Sequence, residues 1–76
     1  MNRIERNPEI MMGKPVIKGT RLTVEYIISL LGQDLSMEDI LKEYKGLERA
    51  DILACLQYAE NVMHETLLFD LPKIAS

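Results

Sequence analysis

Apolar side chains recur at helical spacing in three blocks of this chain, and that recurrence restricts the fold more than any other feature. Val24, Ile27, Ile28 and Leu31 fall at i, i+3, i+4 and i+7, and Met37, Ile40, Leu41 and Tyr44 repeat the pattern. Thr23 suits the N-cap of a first helix over residues 24–31, with Gly32 as its stop. Ser36 opens a second helix, Asp39 stands three residues on as in a capping box, and Gly46 closes it. A third helix, the longest, is predicted over residues 49–65, with Ile52, Leu56, Ala59 and Met63 as its central stripe. Cys55, Tyr58 and Val62 widen that stripe on one side and Leu53 on the other. The apolar arc then covers roughly 220°, where about 100° suffices for a helix lying on its own core. The excess predicts a second chain, by default an isologous homodimer with Leu53, Cys55, Tyr58 and Val62 at its interface.

The segment ahead of the helices is of another kind. "MGKPVIKGTRLTV", residues 12–24, packs two glycines, a proline, three cationic side chains and a β-branched pair into 13 positions. Residues 3–6 and 16–18 read as short strands whose inward side chains are Ile4, Val16 and Ile17. Between them Asn7-Pro8 favours a turn and Gly13 can take positive φ. An isolated two-stranded hairpin is barely stable in water, so this one must pack on the helices or on another subunit. The expected fold is therefore mainly α: a three-helix, helix-turn-helix-like bundle carrying a short N-terminal β-hairpin. Residues 1–76 form a single domain, divided into a β element (1–21), a helical core (23–65) and an apolar tail (66–76).

A chain of 76 residues buries only about 60% of the surface its unfolded form exposes, so large cofactor pockets are not expected. Cys55 is the one cysteine and cannot close an internal disulfide, which fits a reducing, cytoplasmic setting. No stretch approaches the roughly 18 apolar residues of a membrane span. Aromatic residues make up 5% of the chain and Trp is absent, so stacking platforms for bases are not expected.

Chemical sites fail on spacing. A phosphate-binding loop needs G-x-x-x-x-G-K-[ST], whereas five residues separate Gly13 from Gly19 and Thr20-Arg21 follows. Cys55 and His64, nine residues apart on one helix, stand about 180° apart around its axis. Glu60 and His64 at i and i+4 supply only two ligands for a metal. Neither enzymatic activity nor a cofactor is expected.

The net charge of −3 conceals an asymmetry. Residues 1–21 carry +3 and residues 22–76 carry −6. A polyanion would favour the first segment and a cationic partner the second. The short turn "KGLE" between the second and third helices has the character of a helix-turn-helix unit. The exposed start of the third helix offers Arg49 beside Glu48 and Asp51, which repel phosphate. Any DNA contact is thus expected to combine Lys45 and Arg49 with Lys14, Lys18 and Arg21. In the tail, Leu67, Leu68, Phe69, Leu71 and Ile74 are too many to leave in water, and Pro72 prevents a clean helix to the end. Folding back and docking on a partner are both open to such a segment.

The G-K-P-V-I-K-G-T-R stretch, followed by "LSMEDILKEYKGLERADILACLQYA", closely resembles the family known as domain of unknown function 433. The likeness spans about residues 4–60. The motif positions are Gly13, Lys14, Pro15, Val16, Ile17, Gly19, Thr20 and Arg21, then Ser36, Glu38, Ile40, Leu41 and Tyr44. Asp51, Ile52, Leu56, Tyr58 and Ala59 complete them. The resemblance implies a homeodomain-like three-helix unit with a small β element, often dimeric, similar to VapB-type antitoxins, whose partner is a small PIN-like ribonuclease. Glu48 stands where members commonly carry Thr or Ser, a weaker cap. The leading expectation is a dimeric antitoxin-type protein that docks through its tail on a ribonuclease toxin, with promoter DNA as a further partner. Its rival is a homodimeric interaction module that binds neither.

Overall fold

The computed structural model describes the backbone of residues 3–70 and the side chains of residues 3–65. Two strands, β1 (Ile4–Glu5) and β2 (Val16–Ile17), precede three helices, α1 (Val24–Gly32), α2 (Met37–Glu43) and α3 (Arg49–Asp70). The fold is mainly helical with an antiparallel N-terminal hairpin, as the sequence pattern predicts.

The hairpin is short but well anchored. Ile4 faces Ile17 and Glu5 faces Val16, and Val16 also bridges antiparallel to Thr23. Its loop turns where the chemistry allows it. The Asn7 carbonyl accepts from Ile10 N–H at 2.8 Å, and the Asn7 side chain accepts from Glu9 N–H at 2.9 Å. Met11, Met12 and Gly13 all take positive φ (50°, 58° and 83°). Two consecutive methionines in that region are costly, because Cβ crowds the carbonyl there; sequence reasoning assigns positive φ to Gly13 alone. Arg6 Nε donates to Gly13 O at 3.2 Å across the loop.

The exit from β2 is a tight turn. Thr20 N–H donates to Ile17 O at 2.9 Å, and Gly19 takes φ +83°. Lys18 keeps negative φ, so the turn is type II, whose third residue favours glycine. Thr20 Oγ1 donates to Ile17 O at 2.8 Å and accepts from Leu22 N–H at 3.0 Å. Thr20 thus braces the turn and not the helix start, while Arg21 is exposed. Pairing then resumes through Ile17 N–H to Leu22 O and Val24 N–H to Pro15 O. In this way the backbone of β2 is tied to the first turn of α1.

Helix starts follow the sequence closely. Thr23 Oγ1 accepts from Tyr26 N–H at 2.9 Å. Ser36 and Asp39 form a reciprocal capping box, each accepting from the other's backbone N–H (3.1 and 3.0 Å). Helix ends differ. Gly32 is the last helical residue of α1, and the reversal is made by Asp34 at φ +73°. Asn and Asp tolerate this region better than other non-glycine residues. Gly46 takes φ +100° in the link to α3, three residues after α2 ends. Tyr26 of α1 and Tyr44 at the end of α2 meet edge to face (centroids 6.2 Å apart, 86°), their hydroxyls 2.6 Å apart.

The core gathers Ile17, Val24, Ile27, Leu30, Ile40, Ile52 and Cys55 from all layers. Val16 and Ile17 are fully or almost fully buried, so the hairpin supplies core and not ornament. On α3 the buried residues are Asp51, Ile52, Ala54 and Cys55. At 100° per residue their centre lies about 90° around the axis from the Ile52–Leu56–Ala59–Met63 line that sequence reading makes central. Leu56 is 38% exposed and Met63 59%. Asp51 shares this inward face with Ile52, Ala54 and Cys55: a carboxylate that composition assigns to water is held there by an ion pair.

Candidate functional site

The start of α3 is built around that carboxylate. Arg3, on the residue before β1, donates through Nη1 to Asp51 Oδ1 at 2.9 Å and to Glu48 Oε1 at 3.1 Å. Asp51 Oδ2 in turn accepts from Glu48 N–H at 2.9 Å. Asp51 therefore supplies the N3 half of a capping box, accepting from the Glu48 backbone N–H; a Thr or Ser at position 48 would supply the reciprocal half. The bonds to Asp51 first, and to Glu48 second, push the Arg3 guanidinium pKa above its ordinary value. The two carboxylates expected to repel phosphate are thus engaged by a cation. Arg3 itself escapes sequence reasoning, since its partners lie 45 and 48 positions away.

The five candidate nucleic-acid cations do not converge. Lys45 and Arg49 flank the turn that leads into α3, and both are exposed. Lys18 N–H donates to Arg3 O at 2.8 Å, which places Lys18 within one arginine side chain of the α3 start. Arg21 follows the turn that Lys18 begins. Lys14 stands apart, with Nζ 3.5 Å from Glu25 Oε1 in a solvent-exposed pair. It shares a groove with Tyr58 and Val62, about two and a half to three and a half helical turns along α3 from Arg49. Among the described residues, Lys18, Arg21, Lys45 and Arg49 form no ion pair.

The expected dimer face is also redistributed. Cys55 is completely buried in the protomer's own core and has no surface to give a second chain. Burial, with Asp51 nearby, pushes its thiol up to about 11. Tyr58 is half-buried against the same core. Val62 lies on the same side of the helix but is 47% exposed, because α3 has by then outrun the core. Leu53 is 41% exposed on the opposite side. From Glu60 to Glu65 every residue is exposed. The inward side of α3 thus continues past the body it packs on. There it forms one wall of an apolar groove of about 350 Å³. Pro15, Val24 and Ile28 form the facing wall, Tyr58, Ala59 and Met63 line the helix side, and Lys14 and Glu25 stand at the rim.

Leu67, Leu68 and Phe69 belong to the backbone of α3, which runs five residues beyond the expected end. Their side chains, and Leu71 and Ile74 altogether, lie outside the described residues. Among the described residues no three His, Cys, Asp or Glu side chains gather as a metal site. No helix there is long and apolar enough to cross a membrane.

No curated protein and no solved structure matches the chain. A family model does: the one described as "Protein of unknown function (DUF433)" matches residues 4–59. The match begins at β1 and stops at Ala59, where α3 leaves the body. Covering the hairpin, both shorter helices and the buried half of α3, it shows that the chain belongs to the DUF433 family.

Proposed function

We propose that the chain is a dimeric, antitoxin-type protein that binds a small PIN-like ribonuclease through the projecting half of α3 and the apolar residues after it. The observation that carries this reading is a helix that outruns its core and is acidic where it does so. Beyond Ala59 the helix holds Glu60, Glu65 and Asp70 and no Lys or Arg. An enzyme that grips RNA presents cationic surface around its cleft, and an acidic helix edged with apolar residues is complementary to it. The family resemblance points the same way.

The test recovers the tagged chain from its own host at mild salt and identifies what accompanies it by mass spectrometry. A single small ribonuclease at near-equal amounts is expected, inhibited by the purified chain. Replacing Leu68 and Phe69 with Ser removes both binding and inhibition. A chain that returns alone and inhibits no such enzyme refutes the proposal and leaves the rival, an interaction module.

Promoter DNA is a second proposed partner, favoured by Arg3, which offsets Asp51 and Glu48 beside Arg49 and Lys45. A gel shift that weakens steeply with salt is expected, lost in Arg49→Ala or Lys18→Ala and unaffected by Lys14→Ala. A flat salt response refutes it.

A further inference from the structure

We infer that the turn leaving β2, residues 17–21, grips a backbone phosphate of duplex DNA with the main-chain N–H groups of Gly19 and Arg21 and the side chains of Lys18 and Arg21. This rests on the DNA reading above and deepens it. The hairpin makes a contact of its own beside α3, and what it holds is the phosphodiester and not a base edge.

Hydrogen bonding gives the first argument. The turn satisfies most of its own groups. Lys18 N–H donates to Arg3 O, and the N–H and Oγ1 of Thr20 both donate to Ile17 O. Leu22 N–H donates to Thr20 Oγ1. Among the described residues, nothing accepts from the N–H of Gly19 or of Arg21. Both residues are exposed. A Cβ at Gly19 would meet no atom within 4 Å, so the approach to the turn is open. Main-chain N–H groups beside cationic side chains are a recurrent means of holding phosphate oxygens. The bonds that close the turn fix its shape beforehand, which leaves little freedom to lose on binding.

Charge gives the second. Lys18 and Arg21 flank Gly19 and neither forms an ion pair among the described residues, whereas Lys14 is engaged by Glu25. The bond from Lys18 N–H to Arg3 O brings the turn toward the start of α3. There the two carboxylates that would oppose a phosphate, Glu48 and Asp51, are already held by Arg3 Nη1.

The aromatic residues select the duplex. Proteins that hold single strands stack the bases on aromatic side chains. Here Tyr26 and Tyr44 pack on each other, and Tyr58 packs against the core. What such a turn can grip is the charged backbone of a paired nucleic acid.

The experiment titrates the isotope-labelled full chain with a short duplex of arbitrary sequence and follows its amide resonances by NMR. A single strand of the same length and inorganic phosphate are titrated separately. The Gly19 and Arg21 amides are expected to shift and saturate with the duplex. In fluorescence anisotropy, Lys18→Gln and Arg21→Gln should each reduce the slope of log affinity against log salt by about 0.9, so that a fourfold rise in salt costs either variant about 3.5-fold less affinity than it costs the wild type. The reduction should be equal for two unrelated duplexes, with helical circular dichroism retained, and Lys14→Gln should leave the slope unchanged. Duplex binding that shifts amides of α3 but not Gly19 or Arg21, with unaltered slopes in both variants, overturns the inference and leaves the DNA reading standing. No binding of any duplex overturns both. Tighter binding of the single strand, or saturation by inorganic phosphate at a lower concentration than by the duplex, overturns the assignment to duplex DNA.

Discussion

The rotation of α3 can be tested with two isomeric side chains on one helix. Ile52 is completely buried and Leu56 is 38% exposed, although the apolar pattern places both on its central stripe. Each substitution by Ala removes three carbons. At Ile52 these are all lost from the core, about 2.4 kcal/mol at roughly 0.8 kcal/mol per carbon. The surrounding Ile17, Ile27 and Ile40 come from different elements and collapse only partly, which adds on the order of 1–2 kcal/mol for the space left behind. The sum, about 4 kcal/mol, is severe for a domain of this size, whose total stability by the usual per-residue range is about 4–11 kcal/mol. At Leu56 the removed carbons already touch water and no closed void forms. Ala also favours the helix, so a cost near 1 kcal/mol is expected. Urea unfolding followed by circular dichroism measures both, at two protein concentrations so that self-association is separated from folding. Equal costs for the two variants, or a larger cost at Leu56, would refute the orientation described for α3 and return the helix to the one its apolar pattern suggests.

Other outcomes follow from single features. Gly19→Ala meets no atom within 4 Å but must hold φ +83°, so a loss of about 1 kcal/mol is expected in the same assay, with no change in the folded structure. The Asp39 carboxyl is held below its usual 3.8 by the backbone N–H of Ser36 and then by the Ser36 side chain. A carboxylate with a lowered folded pKa stabilises the fold above its unfolded value, and that contribution is lost as pH falls through the folded one. NMR titration should therefore place Asp39 below 3.8, and Asp39→Asn should flatten part of the stability loss below about pH 4. With its thiol pushed up to about 11 and fully buried, Cys55 should resist a thiol-specific disulfide reagent at pH 8 in the folded chain and react fully in denaturant. Rapid reaction of the native protein would contradict the burial described.

Local chemistry was the legible part of this sequence. The Thr23 cap, the Ser36–Asp39 box, the Asn7-Pro8 turn and the positive φ of Gly13 depend on neighbours a few residues away, and the structure has each of them. What could not be read depends on distance. That Asp51 lies on the inward face of α3 is made possible by Arg3, 48 positions away, and no periodicity records that bond. The spacing predicts Cys55 at an interface, whereas it is completely buried in the protomer's own core. Gly32 closes α1 as expected, one residue beyond the predicted 24–31, while the positive-φ reversal after it falls to Asp34 and not to the glycine. The candidate cations looked like one set because they are all basic, yet β2 carries Lys18 toward one end of α3 and Lys14 toward the other.

The bond from Arg3 to Asp51 also bears on the order in which the molecule is assembled on the ribosome. Val16, Ile17, Ile27 and Ile40 are synthesised early, but the side chains that close over them, Ile52 and Cys55, belong to the helix made last. Until that helix emerges, the hairpin has no partner for its arginine and the two shorter helices have no lid. The apolar faces of Ile17, Ile27 and Ile40 therefore stay open until the segment that carries Asp51 is available to Arg3.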